Sequence, residues 1–330
     1  MVLFSGGLDS ILACKVLQEQ GIKVTAIKCI TPFFSYELKD DERAREYKEV
    51  IRNKYGIDVE VVDITPEYLS MITDPPHGYG RYLNPCIDCK ILMVKKAMSL
   101  MDRYGAFFLA TGEVLGQRPM SQRRDTLRII ERDSGADGLL LRPLSARFLK
   151  PTSAEESGVV DRSMLPEISG RSRKEQIRLA EHYGIKDYPA PAGGCVLADP
   201  ILSKRFKRIF YTWPDFGPED CVLGQVGRHF MLPGGSWLVV GRNRAENQAL
   251  ATLMGENDYV LKVLDCPGPL CIARRVKDKS DLVVAASICA RYAKVKSLPV
   301  TIGVGLRDEK GQNLVIDAIP EDNKIHSYMF

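Results

Sequence analysis

Histidine and tryptophan are scarce in the 330-residue sequence, with four and two copies. No apolar stretch approaches the eighteen residues that a membrane helix needs, which excludes a membrane span. The four histidines (His77, His182, His229 and His326) fall at no metal-ligand spacing. Neither sign of charge dominates: 46 Lys and Arg stand against 42 Asp and Glu, a net of +4, so the balance alone does not announce a polyanionic partner. Repeats and low-complexity tracts are missing. The opening Met1-Val2-Leu3-Phe4-Ser5-Gly6-Gly7 is too short, and turns polar too soon, for a signal peptide, so a cytoplasmic location is expected. In that setting the nine cysteines read as ligands, redox groups or small core residues rather than as a disulfide frame. What is present is ordinary: 45% hydrophobic and 27% charged residues suit a well-cored globular chain with room for two domains.

Over the first two hundred residues short apolar runs alternate with amphipathic stretches. Val2–Phe4, Val24–Ile27, Val59–Val62, Phe107–Ala110 and Leu139–Leu141 read as strands, and 8–20, 41–55, 87–104 and 172–184 as helices. This alternation predicts an α/β fold, a doubly wound parallel sheet with its ligand crevice beyond the carboxyl ends of the strands. Two prolines and a glycine within 211–218 mark a linker, giving domains at 1–210 and 219–330. Beyond it Val222–Val226, Ser236–Val240, Tyr259–Val263, Leu270–Ala273 and Pro299–Gly303 read as strands around one helix, 281–296. They form a smaller α+β domain.

Ser5-Gly6-Gly7-Leu8-Asp9-Ser10 stands between the first strand and the first helix. Two glycines allow a tight turn close to an anion, and a helix start adds unpaired N–H groups and a positive dipole end. Ser5 and Ser10 offer hydroxyl donors to phosphate oxygens. With no lysine in the turn, a Walker loop is excluded. The segment resembles the SGGxDS loop of the PP-loop ATP pyrophosphatases, whose fold is the adenine nucleotide alpha hydrolase-like sheet. The resemblance implies that the loop cradles pyrophosphate while AMP passes from ATP to a substrate oxygen, with Mg²⁺ assisting. Asp9 then either orients the loop or holds the metal. It also implies adenine binding near Ala26 and Lys28, mostly through backbone groups. Thr111-Gly112-Glu113-Val114-Leu115-Gly116-Gln117 is similar to the TGExxGQ segment of tRNA 4-thiouridine synthases, which puts Thr111, Gly112 and Gln117 at the nucleotide, Gly112 being small so that ribose or phosphate can pass. Leu141-Arg142-Pro143-Leu144 resembles another element of those enzymes.

Asn84-Pro85-Cys86-Ile87-Asp88-Cys89 opens a helix, with both thiols on one face and a helix start that favours thiolate. Cys195 follows Gly193-Gly194, which would let its backbone come close to another group. Three thiolates are one short of a closed zinc site or a fully ligated [4Fe–4S] cluster. The pattern resembles tRNA thiolation enzymes, some of which carry a three-cysteine cluster with one iron free for sulfide while others handle a persulfide. Cys86, Cys89 and Cys195 are therefore expected as catalytic and cluster-ligating residues.

Basic residues gather at Arg118, Arg123, Arg124, Arg128 and Arg132, at Arg171, Arg173, Lys174 and Arg178, and at Lys204, Arg205, Lys207 and Arg208. Residues 271–296 add seven cations (Arg274, Arg275, Lys277, Lys279, Arg291, Lys294 and Lys296) against Asp278 and Asp281, a local excess of five that suits a phosphate backbone. Residues 235–300 resemble the RNA-binding domain of NFACT-type ribosome-associated proteins, although Cys266-Pro267-Gly268-Pro269 replaces that domain's Pro-Gly-Ser-His turn. Together the resemblances imply a tRNA sulfurtransferase, with uridine adenylation followed by sulfur insertion. Its expected partners are tRNA and a sulfur donor, either a protein or free sulfide, and a homodimer stays open. Two other readings are a small-molecule, zinc-containing PP-loop synthetase that forms amides or nitriles, and a non-catalytic RNA-binding protein with a relic nucleotide site. No rhodanese-like or THUMP-like segment accompanies the motifs.

Overall fold

A computed structural model describes residues 1–190, 195–306 and 311–330. The chain divides into two compact units, Met1–Ser203 and Lys204–Phe330. In the first, β1 (Val2–Leu3), β2 (Thr25–Ile30), β3 (Asp58–Asp63), β4 (Leu109–Thr111) and β5 (Leu140–Leu141) form an all-parallel sheet in the order β3-β2-β1-β4-β5. The chain runs outward from β1 through β2 to β3, then returns to place β4 on the other flank. That reversal makes a switch point at the carboxyl ends of β1 and β4, where an open α/β sheet binds ligands. The expected doubly wound α/β fold is thus observed.

Sequence period explains the covering helices. In Leu8–Glu19 the residues at three- and four-residue spacing, Leu8, Ile11, Leu12 and Val16, are all buried against the sheet. Full burial of each such side chain contributes roughly 1.5–3 kcal/mol. Helix Asp41–Tyr55 starts where Asp40 accepts a hydrogen bond from the Arg43 N–H (3.0 Å) and stops at Gly56, whose φ of +64° only glycine adopts freely. The 87–104 stretch breaks into helices Cys86–Ser99 and Met101–Tyr104.

The second unit holds a six-stranded antiparallel sheet of β6 (Arg228–Met231), β7 (Trp237–Val240), β8 (Tyr259–Val263), β9 (Leu270–Arg274), β10 (Val300–Leu306) and β11 (Gln312–Ile316), in the order β11-β10-β8-β9-β7-β6. Helix Ser280–Arg291 covers it through Leu282, Ala285, Ala286 and Cys289. Two expectations need correction. Val222–Val226 is no strand: Pro218 sits in the first turn of helix Pro218–Leu223, and the Asp220 carboxylate accepts from the Gly217 N–H (3.1 Å). Nor is 211–218 a linker, because it lies inside the second unit. There Trp213 stacks on Trp237 (5.2 Å between centroids), Phe216 stacks on Phe210 (4.3 Å), and Asp215 pairs with Arg275. Among the described residues no helix is long and apolar enough to cross a membrane.

Candidate functional site

The Ser5–Ser10 turn closes on itself. Ser10 Oγ donates to the Gly7 carbonyl (2.7 Å) and accepts from the Gly6 N–H (3.2 Å), while Ser5 Oγ donates to Ser10 Oγ (3.2 Å) and accepts from the Gly7 N–H (3.3 Å). Both hydroxyl protons are therefore spent inside the turn, where they shape it rather than stand free for a phosphate. Gly6 has φ +84°, a conformation that favours glycine. From β2, Lys28 Nζ donates to the Ser5 carbonyl (2.6 Å). Ala26, by contrast, is wholly buried in mid-strand between Val2 and Val59, so its side chain faces no ligand.

Behind the turn lies a group of under-satisfied polar atoms. Asp9 Oδ2 accepts from Gln117 Nε2 (3.1 Å), but Asp9 Oδ1 and Gln117 Oε1 are buried with no hydrogen-bond partner among the described residues. Gln176 is fully buried beside the Asp9 carboxylate, and Arg173, whose Nε also lacks a partner, acts on it electrostatically together with Arg118. Burial pushes the Asp9 carboxyl above its usual range, outweighing the amide of Gln117 and these arginines. Buried polar atoms of this kind leave room for a water, an ion or a ligand group. The helix Lys174–His182 and the residue before it thus supply a side of the site that sequence reading had missed. In the sequence Arg173 stands among basic residues that suit a phosphate backbone, and only its action on the Asp9 carboxylate sets it apart.

Gly112 is closely packed. A Cβ there would stand 2.5 Å from both the carbonyl carbon and the oxygen of Asp9, so the glycine lets β4 abut the first helix. Thr111, paired with Leu3, turns its hydroxyl to Glu113 (3.2 Å). Glu113 in turn meets fully buried Arg142 (3.3 Å), which also binds Glu131, and Lys90 stands 3.8 Å from its other oxygen. This network locks the TGExxGQ and LRP segments together.

Each of the three thiols has its own donor. Asn84 Nδ2 donates to Cys86 Sγ (3.1 Å), the buried Tyr68 hydroxyl bonds Cys89, and the N–H groups of Leu197 and Ala198 face the Cys195 sulfur. All three sulfurs act electrostatically on Tyr68, and Cys89 also accepts its hydrogen bond. The helix start does not make Cys89 a thiolate: burial pushes its thiol up to about 12 and raises that of Cys195 too. Gly193 and Gly194 lie outside the described residues. Among the described residues, no three His, Cys, Asp or Glu side chains are gathered tightly enough to hold a metal ion. His77 instead bridges Asp88 (2.7 Å) and Asp133 (2.8 Å), tying the cysteine helix to helix Arg124–Ser134.

The segment 111–122 spans the two halves. Gly112 and Gln117 touch Asp9, and three residues later the Met120 sulfur takes a 3.8 Å hydrogen bond from Asn84, the donor to Cys86.

Several expected RNA-facing cations are occupied internally. Arg205 is buried and donates to the Gly224 carbonyl (2.9 Å). Arg274 is buried between Asp220 and Asp258, and Arg275 pairs with Asp215 and Asp220. Lys277, Lys279, Lys294 and Lys296 remain exposed, as do Arg118, Arg128, Arg171 and Lys174.

Residues 1–147 match the family model of the thiamine biosynthesis protein ThiI, and residues 227–329 that of the NFACT protein RNA-binding domain. Among curated proteins, the chain is 25% identical over 169 residues to a probable tRNA sulfurtransferase of Thermococcus kodakarensis, covering 51% of this chain and 42% of that one. It is 26% identical over 271 residues to the tRNA-specific 2-thiouridylase MnmA of Syntrophomonas wolfei, with 79% and 71% covered. The chain thus spans well under half of the first relative's length. Among solved structures, the U34-tRNA thiolase NcsA of Methanococcus maripaludis, described with its [4Fe–4S] cluster, aligns at 18% identity and a TM-score of 0.32 over 68% of this chain and 69% of that one. These matches support a PP-loop protein of the tRNA-thiolation group: residues 1–147 are similar to ThiI, and residues 227–329 to the NFACT RNA-binding domain.

Proposed function

We propose that the chain makes thiouridine in tRNA, by adenylating a uridine carbonyl with ATP and then replacing the activated oxygen with sulfur. The uridine oxygen attacks the α-phosphorus, the α–β bond breaks, and the phosphate turn holds the leaving pyrophosphate at the positive end of helix Leu8–Glu19. Asp9, with Gln117, Gln176 and Arg173 about it, takes Mg²⁺ or orients the nucleotide. Sulfur then attacks the activated carbon and AMP leaves with the oxygen. Holding adenylate and sulfur together makes that second attack effectively unimolecular.

The observation that carries this reading is the 111–122 segment, which meets Asp9 at one end and the Asn84–Cys86 pair at the other. It supports a common cavity for nucleotide and thiols. The donor set suits anionic sulfur, since Asn84, Tyr68 and two backbone N–H groups all point at thiol sulfurs. A single zinc ion with bonds of about 2.3 Å would draw its sulfurs within roughly 4 Å of one another. A cluster instead holds its cysteines apart on separate irons, and all three thiols act electrostatically on the one Tyr68 hydroxyl. Cys86, Cys89 and Cys195 would hold it, and when bound it supplies an open iron for sulfide delivered free or by a donor protein. The exposed lysines of the second unit would grip the tRNA backbone.

Mass spectrometry of tRNA nucleosides from a deletion strain checks the reaction: one thiouridine is expected to vanish and to return with the intact gene. Unchanged thiouridines refute it. Iron and labile sulfide in anaerobically purified protein are expected at about four each per chain. Zinc alone would favour an amide- or nitrile-forming synthetase, and ATP left uncleaved with total tRNA would favour a purely RNA-binding protein.

A further inference from the structure

Beside the phosphate turn, two side chains converge that neither the cysteine chemistry nor the Asp9 group uses. Lys28 is only 8% exposed, yet its ammonium spends one of three N–H donors on the Ser5 carbonyl. Tyr47, from helix Asp41–Tyr55, lays its ring 5.8 Å from that ammonium. Its hydroxyl is buried with no hydrogen-bond partner among the described residues, and a Cβ on Gly6 would stand 3.0 Å from it and 4.0 Å from Lys28 Nζ. A buried phenol oxygen without a protein partner leaves a hydrogen-bonding position open to a second group. Glu37, an exposed residue, is the acidic group that acts on both side chains.

We propose that Lys28 and Tyr47 form a side-chain subsite for the terminal phosphates of a nucleoside triphosphate, supplying from β2 and the second helix the cation that the turn itself lacks. The subsite rests on the nucleotide-binding reading above. Its ligand is a phosphate group carrying two or more negative charges, for which a lysine with spare donors and a phenol O–H are suited partners. AMP, which ends at the α-phosphate, would leave it empty.

Isothermal titration of the full chain with Mg-ATP, inorganic pyrophosphate and AMP tests this. In Tyr47→Phe, ATP and pyrophosphate affinity should fall about fivefold to tenfold, AMP affinity should hold within about twofold, and the melting temperature without ligand should stay level or rise, since an orphaned hydroxyl is gone. Lys28→Met should cost ATP about tenfold or more. Equal losses for ATP and AMP, or a lowered melting temperature with unchanged ATP affinity in Tyr47→Phe, would overturn the subsite and leave the thiolation reading standing. A wild-type chain that binds no ATP would remove both.

Discussion

Two buried polar clusters can be set side by side. In the second unit, Arg274 gives Nε to Asp258 (2.9 Å), Nη1 to Asp220 (2.8 Å) and Nη2 to both Asp258 and the Leu253 carbonyl. Every donor group of that guanidinium is used, and Arg275 extends the cluster to Asp215 with only its Nε unsatisfied. Around Asp9 the picture is reversed: a carboxylate oxygen, an amide oxygen and a guanidinium N–H are buried without partners among the described residues. The first arrangement is complete as it stands and serves architecture. The second is complete only with something added, which distinguishes a site from a strut.

Substitution separates the two. Arg274→Ala should destabilise the second unit by about 3–5 kcal/mol, because Asp220 and Asp258 stay buried without their cation. Urea denaturation reads this, and Mg-ATP binding by the same protein should be unchanged. Asp9→Asn should do the opposite. Pyrophosphate release with total tRNA should fall about a hundredfold or more, as for loss of a group that stabilises transition-state charge. Melting should not drop, since burial disfavours the native carboxylate. A loss of stability in Asp9→Asn comparable to that of Arg274→Ala would erase the contrast.

A third, smaller effect comes from pH. His229 is fully buried and neutral: Nδ1 accepts from Trp237 Nε1 (3.0 Å), Nε2–H donates to the Val226 carbonyl (2.9 Å), and burial holds its pKa well below the ordinary value of 6.5. Because only the unfolded chain readily takes that proton, stability is whole above about pH 6.5 and declines below it. The slope is about 1.4 kcal/mol per pH unit until the folded imidazole titrates. Chemical denaturation at pH 5 and 7 measures it, and His229→Gln should flatten the dependence.

Much of this was legible in the sequence, and the failures share a cause. Hydrophobic period located all five parallel strands to within a few residues, because burial on both sheet faces leaves a local imprint. The Ser5–Ser10 turn was readable since its glycines and serines act on one another within six residues. Charge was misread. Arg274 was counted toward a nucleic-acid face, but its partner Asp220 lies 54 positions away, and no local pattern announces such a pairing. Arg173 fails in the same way, as its carboxylate neighbour belongs to the first helix. Val222–Val226 is apolar enough for a strand, yet Pro218 and Asp220 had already started a helix. Tyr68 and Tyr47 gave no signal, because an aromatic residue in the sequence does not disclose where its hydroxyl ends.

Gly112 has one more consequence. Since the Asp9 backbone fills the volume that a methyl group would take, the height of the fourth strand gauges the seating of the Ser5–Ser10 corner with no spacer between them. A single added carbon at that residue would jack the first helix away from the sheet and open the corner, while every side chain in direct reach of a nucleotide kept its identity.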